Sequence, residues 1–187
     1  MDKYYSLSSD INSDVVSDII DILNNSDFTK LTIYVSTPGG STESTGVLID
    51  LINKHKDKIE LVATENLISN GFYLFVQCDV PIRFLNTFCG ILIHKCWINV
   101  TSNGFLNKKG TDYLYIDSVN KYNKTYEILL KEVLPKAKFN LFKSGGDVLI
   151  MGEDAKKVIY ETRKLYFKNT NIENPQPNKK RVGVKKG

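Results

Sequence analysis

The chain has 187 residues and a net charge of +4, with 42% hydrophobic and 25% charged residues. This composition is that of a globular domain that can bury its own core. No apolar run reaches the roughly 18 residues of a transmembrane helix, and the first residues lack a signal-peptide stretch, so we expect a cytoplasmic protein. Three cysteines, an odd count without a C-x-x-C pair, argue against a disulfide framework and against a zinc site.

The predicted elements alternate between strands and helices along the chain. Ser13 is expected to cap the first helix, and Val47 is expected to lie on the buried face of the second. The predicted strands are 31–36, 59–63, 81–85 and 90–94, the helices are 14–23, 42–54 and 153–163, and 147–151 is extended. Residues 70–77 are too short an apolar run for periodicity to decide between helix and strand. The alternation predicts an α/β domain with a mostly parallel sheet, in which sites form beyond the carboxyl ends of strands.

A long helix is predicted at residues 111–134 and is ended by Pro135. Its apolar residues recur at alternating intervals of four and three, the pattern of a coiled-coil seam. The residues of this seam are Tyr115, Val119, Tyr122, Tyr126, Leu129 and Val133. Such a helix often projects and packs on a partner chain; packing within its own domain is the alternative.

The positive charge is concentrated at the C-terminus. Residues 169–187 hold five basic residues and one acidic residue, so the rest of the chain is neutral. The segment is rich in Pro, Asn and Lys and poor in core-forming residues, which predicts a disordered tail. A solvated end explains it better than contact with RNA or an acidic surface, so nucleic-acid binding is not expected.

Two polar stretches follow predicted strands: STPGGS at 36–41 and LISNGF at 67–72. Gly39 and Gly40 can simply turn the chain after a strand. A backbone N–H without side-chain bulk beside it can also point at an anionic oxygen, and acyl-transfer enzymes need two such donors. Asn70 supplies a second donor if residues 70–77 are helical, because helix N-termini carry unpaired N–H groups.

A serine nucleophile needs a neutral histidine to take its proton. The chain has two histidines: His55 lies in a charged run and is expected at the surface, and His94 ends the apolar run GILIH. Alone, a histidine like His94 is more often a hydrogen-bonded structural residue than a catalyst. Ser69 alone is weaker evidence still.

In order and in spacing, these stretches resemble ClpP, the serine peptidase subunit of the Clp protease. The family has an apolar strand and S-P-G-G, then A-S-M-G, then M-I-H-Q-P, where this chain has YVSTPGGS, LISNGF and ILIHKC. The interval between Ser69 and His94 is the family's spacing. The segment from Asp147 to Ala155 is similar to the family's D-R-x-x-S-A-x-E-A, and the resemblance covers roughly residues 5–165.

The resemblance implies a catalytic triad. Ser69 would attack the scissile carbonyl, His94 would take its proton and return it to the leaving amine, and Asp147 would hold the imidazole tautomer. The backbone N–H groups of Gly39 and Asn70 would form the oxyanion hole. No cofactor and no metal is implied, and ATP would enter only through a partner unfoldase.

The resemblance also implies an architecture. Residues 1–168 would form repeated β-β-α units, with helix 111–134 as a protruding handle. Heptameric rings, which can stack in pairs through that helix, would enclose a chamber that cleaves unfolded polypeptides, fed by a Clp-type ATPase unfoldase. Only about four residues precede the first strand of the region that resembles the family, so the family's N-terminal segment, which lines the axial pore and contacts the unfoldase, is expected to be nearly missing.

Several residues depart from the family pattern. Leu67 and Ile68 replace small residues before the serine, Asn70 replaces a methionine, and Lys95-Cys96 replaces Gln-Pro. The turn-rich residues 98–110 lengthen the interval before the aspartate. A catalytically silent ring subunit, acting as scaffold or regulator, is therefore one alternative, and a crotonase-type enzyme acting on acyl-CoA is another. A composition rich in Asn, Lys and Ile suggests an AT-rich genome, such as that of a phage.

Overall fold

The structure is a computed structural model that describes residues 1–24, 27–96 and 111–172, without the side chains of 111–115 and 171–172. The strands in these residues are β1 (Asp2–Leu7), β2 (Lys30–Thr37), β3 (Ile59–Ile68), β4 (Ile82–Phe84), β5 (Gly90–Ile93) and β6 (Val148–Met151). The helices are α1 (Ser13–Asn24), α2 (Thr42–Lys54), α3 (Asn70–Gln77), α4 (Thr111–Val133), α5 (Lys136–Lys143) and α6 (Gly152–Ile172). This element order confirms the α/β class.

One mostly parallel sheet organises the described residues. Its strand order is β1-β2-β3-β5-β6, with β4 paired beside β3. All pairs are parallel except β5 and β6, which are antiparallel. β3 pairs with β4 along its first half and with β5 along its second, so it extends beyond the predicted 59–63. The mostly parallel sheet predicted from the sequence is confirmed.

The starts of α1 and α2 show how local polar groups set the helices. α2 begins as predicted, and Ser41 Oγ accepts a hydrogen bond from the Ser44 N–H at 3.2 Å. For α1 the predicted cap was wrong by one residue. Asn12 Oδ1, not the Ser13 hydroxyl, accepts from the N–H groups of Asp14 at 3.0 Å and Val15 at 3.1 Å. Asparagine and serine are both good caps, so sequence alone does not choose between neighbours.

The apolar seam of α4 faces this chain's own core. Val119, Tyr126 and Leu129 are buried, and Tyr122 and Val133 pack against the core cluster. The expectation that this seam packs on a partner chain is therefore wrong for the described residues; the alternative, packing within the domain, holds. Residues 98–110, which precede α4, lie outside the described residues, and the role of the helix as a handle stays a prediction.

Three other details differ from the sequence prediction. Val47 is 44% exposed rather than buried, since α2 turns Leu48 and Ile52 inward instead. α5, which Pro135 precedes, was not predicted. α6 continues to Ile172, beyond the predicted helix end at 163. Residues 173–187 of the predicted tail lie outside the described residues, and the domain division at 168 stays a prediction.

Candidate active site

The glycine loop, residues 38–41, and Ser69 meet at one edge of the sheet. β2 and β3 are parallel neighbours, and their last paired residues are Thr37 and Leu67, so both polar stretches leave the sheet side by side. A Cβ added to Gly39, whose φ is 107°, would lie 2.8 Å from Ser69 Cβ and 3.2 Å from the Asn70 nitrogen. Only glycine allows this contact.

Ser69 occupies a strained backbone position, and its hydroxyl has no hydrogen bond to any residue that the structure describes. Its φ of 53° and ψ of −117° make it the only non-glycine residue with positive φ among those described. Its N–H donates to Leu92 O at 2.8 Å, and its carbonyl accepts from the Phe72 N–H at 3.0 Å, so β5 and α3 hold the backbone from two sides. The side chain makes no capping bond. Strain of this kind persists where the surrounding structure enforces it, and it clusters at functional sites.

α3 settles the ambiguity of residues 70–77, which are helical. The N–H groups of Phe72 and Tyr73 already bind the Ser69 carbonyl, whereas the first residue of the helix has no carbonyl one turn earlier to bind, and the helix dipole adds partial positive charge there. The Asn70 N–H has no hydrogen-bond partner in the described part of the chain. The sequence predicted a second oxyanion donor at Asn70 only if residues 70–77 are helical, and this condition is met.

The polar groups of the glycine loop are almost all engaged. The Gly39 N–H donates to Thr37 Oγ1 at 3.1 Å, and the Gly39 carbonyl accepts from the Ile11 N–H at 2.6 Å. The Gly40 carbonyl accepts from Asn70 Nδ2 at 2.7 Å. The Gly40 N–H has no partner among the residues of this loop and those described around it. Gly39 as an oxyanion donor stays a prediction, and it would require the Thr37 bond to be shared or broken.

Thr37 is a site residue that the sequence analysis missed. It is 2% exposed, and its hydroxyl also donates to Ser9 O at 2.7 Å. Its methyl group lies 2.6 Å from the position of a Cβ added to Gly71, so Thr37 also packs closely against the first turn of α3. Thr37 is simply the last residue of a strand, and no feature of the neighbouring sequence predicts its role at the site.

His94 lies just beyond β5, half buried. The Tyr73 hydroxyl donates to its carbonyl at 2.6 Å, and its Nδ1 is 2.8 Å from Lys95 O. Since a carbonyl only accepts, Nδ1 carries the proton of the neutral ring and Nε2 keeps its lone pair. No hydrogen bond joins His94 to Ser69 or to Asp147 in residues 1–24, 27–96 and 111–172.

Asp147 lies immediately before β6 and is exposed. The last antiparallel pair is Ile93 with Val148, so one step further the register sets His94 opposite Asp147. Side chains at such opposed positions are within reach of each other. The carboxylate nevertheless has no ion pair or hydrogen bond with the described residues. The structure thus brings the predicted triad residues to one region without connecting them, and the triad stays a prediction.

The segment that follows His94 is held by α4. Asn123 forms two hydrogen bonds with the Cys96 backbone. Its Oδ1 accepts from the N–H at 2.8 Å, and its Nδ2 donates to the carbonyl at 3.0 Å. Lys95 Nζ donates to Lys143 O at 2.8 Å. Burial raises the pKa of the Cys96 thiol, which the Thr42 hydroxyl opposes, so Cys96 is a poor nucleophile at neutral pH.

A cluster of three tyrosines, Tyr73, Tyr122 and Tyr126, lies next to the same segment. The Tyr73 ring lies 4.2 Å from the Tyr126 ring and 5.0 Å from the Tyr122 ring, centroid to centroid. Gln77 Nε2 donates to the Tyr126 hydroxyl at 2.7 Å. Burial raises the pKa of all three tyrosines well above the ordinary value, so they stay neutral. The cluster joins α3 to α4 and fixes the chain that carries His94.

Other kinds of site find little support in the described residues. No group of three His, Cys, Asp or Glu side chains there is arranged to hold a metal ion. None of the helices described has both the length and the apolar character that spanning a membrane requires.

Comparison with known proteins gives one family and one fold. The profile of the family described as Clp protease matches residues 3–105. The solved structure of a ClpP1 mutant from Listeria monocytogenes is similar, with a TM-score of 0.55 and 16% identity, over 83% of this chain and 86% of that one. At that identity the likeness supports the fold alone. No curated protein sequence matches significantly.

Proposed function

Because the chain belongs to the Clp protease family, we propose that it is a serine endopeptidase subunit that cleaves unfolded polypeptides or peptides through Ser69. One observation carries the proposal: a strained serine, whose hydroxyl has no hydrogen-bond partner among the described residues, lies against the glycine loop and the N-terminus of α3. Main-chain N–H groups at such a position are suited to an oxyanion, and losing one typically costs about 3 kcal/mol of barrier.

In the proposed reaction, Ser69 Oγ attacks the scissile carbonyl carbon while His94 Nε2 takes the hydroxyl proton. The carbonyl oxygen becomes an oxyanion that accepts from the Asn70 N–H and from an N–H of the glycine loop. The intermediate collapses as His94 returns the proton to the leaving amine. Water, deprotonated by His94, then hydrolyses the acyl-enzyme and restores Ser69.

The tautomer of His94 supports its role as the base. The hydrogen bond from Nδ1 to Lys95 O leaves Nε2 unprotonated, as a general base requires. A carboxylate in place of that carbonyl would stabilise the imidazolium more strongly, because it adds opposite charge. We propose that ring assembly turns the imidazole toward both Ser69 and Asp147, which predicts activity only in oligomeric fractions in ultracentrifugation.

The proposed assembly follows the family. Rings of seven subunits, single or stacked through the region of α4, would enclose the site, and an ATPase unfoldase would supply substrate. No cofactor or metal takes part in the proposed chemistry. Residence in the cytoplasm and a phage origin are parts of the same proposal.

One observation favours a second candidate, the catalytically silent ring subunit. Asp147 is exposed and does not bond His94, so the described arrangement is already the one expected of an inactive scaffold. The crotonase-type alternative has no such observation in its favour.

The test is labelling and hydrolysis by purified oligomer. Wild type should react with a fluorophosphonate probe at Ser69, found by peptide mapping, and should cleave an unstructured peptide; Ser69→Ala should do neither. Ser17→Ala, which changes an exposed serine of α1, is the matched control and should be labelled normally. A wild-type oligomer that is not labelled would support the silent subunit.

A further inference from the structure

The Asn70 side chain joins the nucleophile helix to the glycine loop. It is 2% exposed, and its Nδ2 donates to Gly40 O at 2.7 Å and lies 3.5 Å from Thr42 Oγ1. A carbonyl oxygen only accepts, so the amide must face Gly40 with its nitrogen. The other end of the amide, Oδ1, is buried and has no hydrogen-bond partner among the described residues.

That unpaired oxygen indicates that packing alone does not explain an amide at this position. A buried acceptor without a donor destabilises the fold, because it has lost its hydrogen bonds to water. Leucine has nearly the same shape and carries no polar atom to leave unpaired. The bond made by Nδ2 therefore remains as the reason for asparagine at residue 70.

Gly40 is the part of the loop that this bond orients. On one side, Ile11 binds the loop twice: its N–H donates to Gly39 O at 2.6 Å and its carbonyl accepts from the Ser41 N–H at 2.8 Å. Ile11 and Gly40 form a parallel bridge, so the polar groups of Gly40 point to the opposite side. Asn70 is the residue that binds Gly40 on that side, where Ser69 lies.

We propose that the Asn70 side chain is a positioning residue, which holds the glycine loop so that its backbone donors face the carbonyl attacked by Ser69. The inference rests on the proposed peptidase function. Asn70 would then act twice, supplying one oxyanion donor from its backbone and fixing the other through its side chain. Because every substitution except proline keeps the backbone N–H, the side-chain role can be tested separately.

The first variant is Asn70→Leu, with Asn53→Leu as its matched control. Asn53 lies in the last turn of α2, and its Nδ2 donates to Gln77 O at 3.1 Å, so the control also removes an asparagine bond to a backbone carbonyl. Asn70→Leu should lower kcat for peptide hydrolysis on the order of 10²-fold with little change in KM, since donors about 1 Å out of place lose that much. Asn53→Leu should keep the wild-type kcat.

The second variant, Asn70→Asp, gives a pH signature. Its carboxylate would face Gly40 O and repel it, whereas its protonated form can donate a hydrogen bond there. The ratio of Asn70→Asp kcat to wild-type kcat should therefore rise as the pH falls. Taking the ratio cancels the titration of groups that both proteins share, and a merely structural role would leave it flat.

Amide hydrogen exchange gives a readout besides activity. Exchange of the peptide covering residues 39–46 should be faster in Asn70→Leu than in wild type and unchanged in Asn53→Leu. Wild-type kcat and exchange in Asn70→Leu, with an active wild type, would overturn this inference alone. A wild-type oligomer that neither cleaves nor is labelled would overturn the proposed function and this inference together. If Asn70→Leu does not fold, a flat pH ratio for Asn70→Asp overturns the inference.

Discussion

The two halves of the candidate site differ in how completely they are built. Around Ser69, strain and close backbone contact fix each part, and Thr37, Ile11 and Asn70 bind the glycine loop from three directions. Around His94, the imidazole binds the carbonyl of the next residue, and Asp147 lies exposed nearby. The nucleophile half is preorganised, and the proton-transfer half is not connected.

The difference follows from where each half obtains its contacts. The Ser69 half lies between parallel neighbouring strands, so the sheet register alone brings its parts together. The His94 half lies where β5 and β6 stop pairing, and the chain continues into residues 97–110, which the structure does not describe. A site of this kind depends on contacts beyond the sheet, which is why the proposal makes assembly its completing step.

The largest expected effect concerns His94. His94→Ala should lower kcat on the order of 10⁶-fold, since removal of the general base of a triad costs about that much. The chain's other histidine provides the control, and His55→Ala should retain full activity. Peptide hydrolysis by both oligomers checks this. Equal activity of the two variants would break the assignment of the proton-transfer half to His94.

The next prediction tests whether Asp147 or the Lys95 carbonyl orients the imidazole of His94. If assembly brings Asp147 to the imidazole, Asp147→Asn should reduce kcat about 10⁴-fold by removing the charge that stabilises imidazolium. Asp154→Asn, at the exposed start of α6, is the control. A wild-type kcat in Asp147→Asn would instead leave the Lys95 carbonyl as the group that orients His94.

A smaller effect tests the preorganised half through its backbone. A Cβ on Gly40, whose φ is 137°, would lie 2.4 Å from Ile11 O, so Gly40→Ala should destabilise the protein by roughly 3 kcal/mol or more. Gly46→Ala meets nothing within 4 Å in α2 and should stabilise by about 1 kcal/mol. Urea unfolding measures both, and equal stabilities would show that the loop is not tightly held.

The smallest effect lies outside both halves. Glu60 is 5% exposed on β3 and accepts from Arg83 Nη2 at 2.6 Å and from Lys30 at the sheet surface. Burial raises its pKa, but the hydrogen bonds and charges of Lys30 and Arg83 outweigh this, so the pKa is lowered overall. Hydrogen bonds to a charged group contribute about 1.5–3 kcal/mol, so Glu60→Gln should cost about 2 kcal/mol at pH 7.

The pH dependence of that cost has a definite sign. A carboxyl group with a lowered pKa stabilises the fold above the ordinary glutamate pKa, and the contribution is lost as the pH falls through the folded value. The stability difference between wild type and Glu60→Gln should therefore shrink below the ordinary value of 4.5. Urea unfolding at pH 7 and pH 3 measures it, and a difference independent of pH would contradict the assignment.

Sequence patterns predicted those features that depend on local order. The strand before STPGGS and helix 42–54 follow from residue type and periodicity, and the structure has both. Periodicity left residues 70–77 open, and the structure makes them helical. The contact between the glycine loop and Ser69 followed from the parallel topology, because both segments leave neighbouring strands at the same edge of the sheet. The surface on which the α4 seam packs was predicted wrongly, because periodicity shows which face of a helix is buried but not which surface covers it.

Long-range polar contacts were beyond the sequence. Thr37, Asn123 and the Asn70 side chain bind groups far along the chain or across a turn, and none has a distinctive neighbour pattern. Their roles depend on distances of a few ångströms set by packing. The orientation of His94 belongs to the same class, since the spacing from Ser69 says nothing about where the imidazole points.

The most direct test of the central claim is the rate of fluorophosphonate labelling at Ser69 across size-separated fractions of the wild-type protein. We expect fast labelling of Ser69 in the ring-sized fraction, slow labelling in the monomer, and none in Ser69→Ala. Labelling that is absent from every fraction, or that maps to another residue, would contradict a Ser69 peptidase.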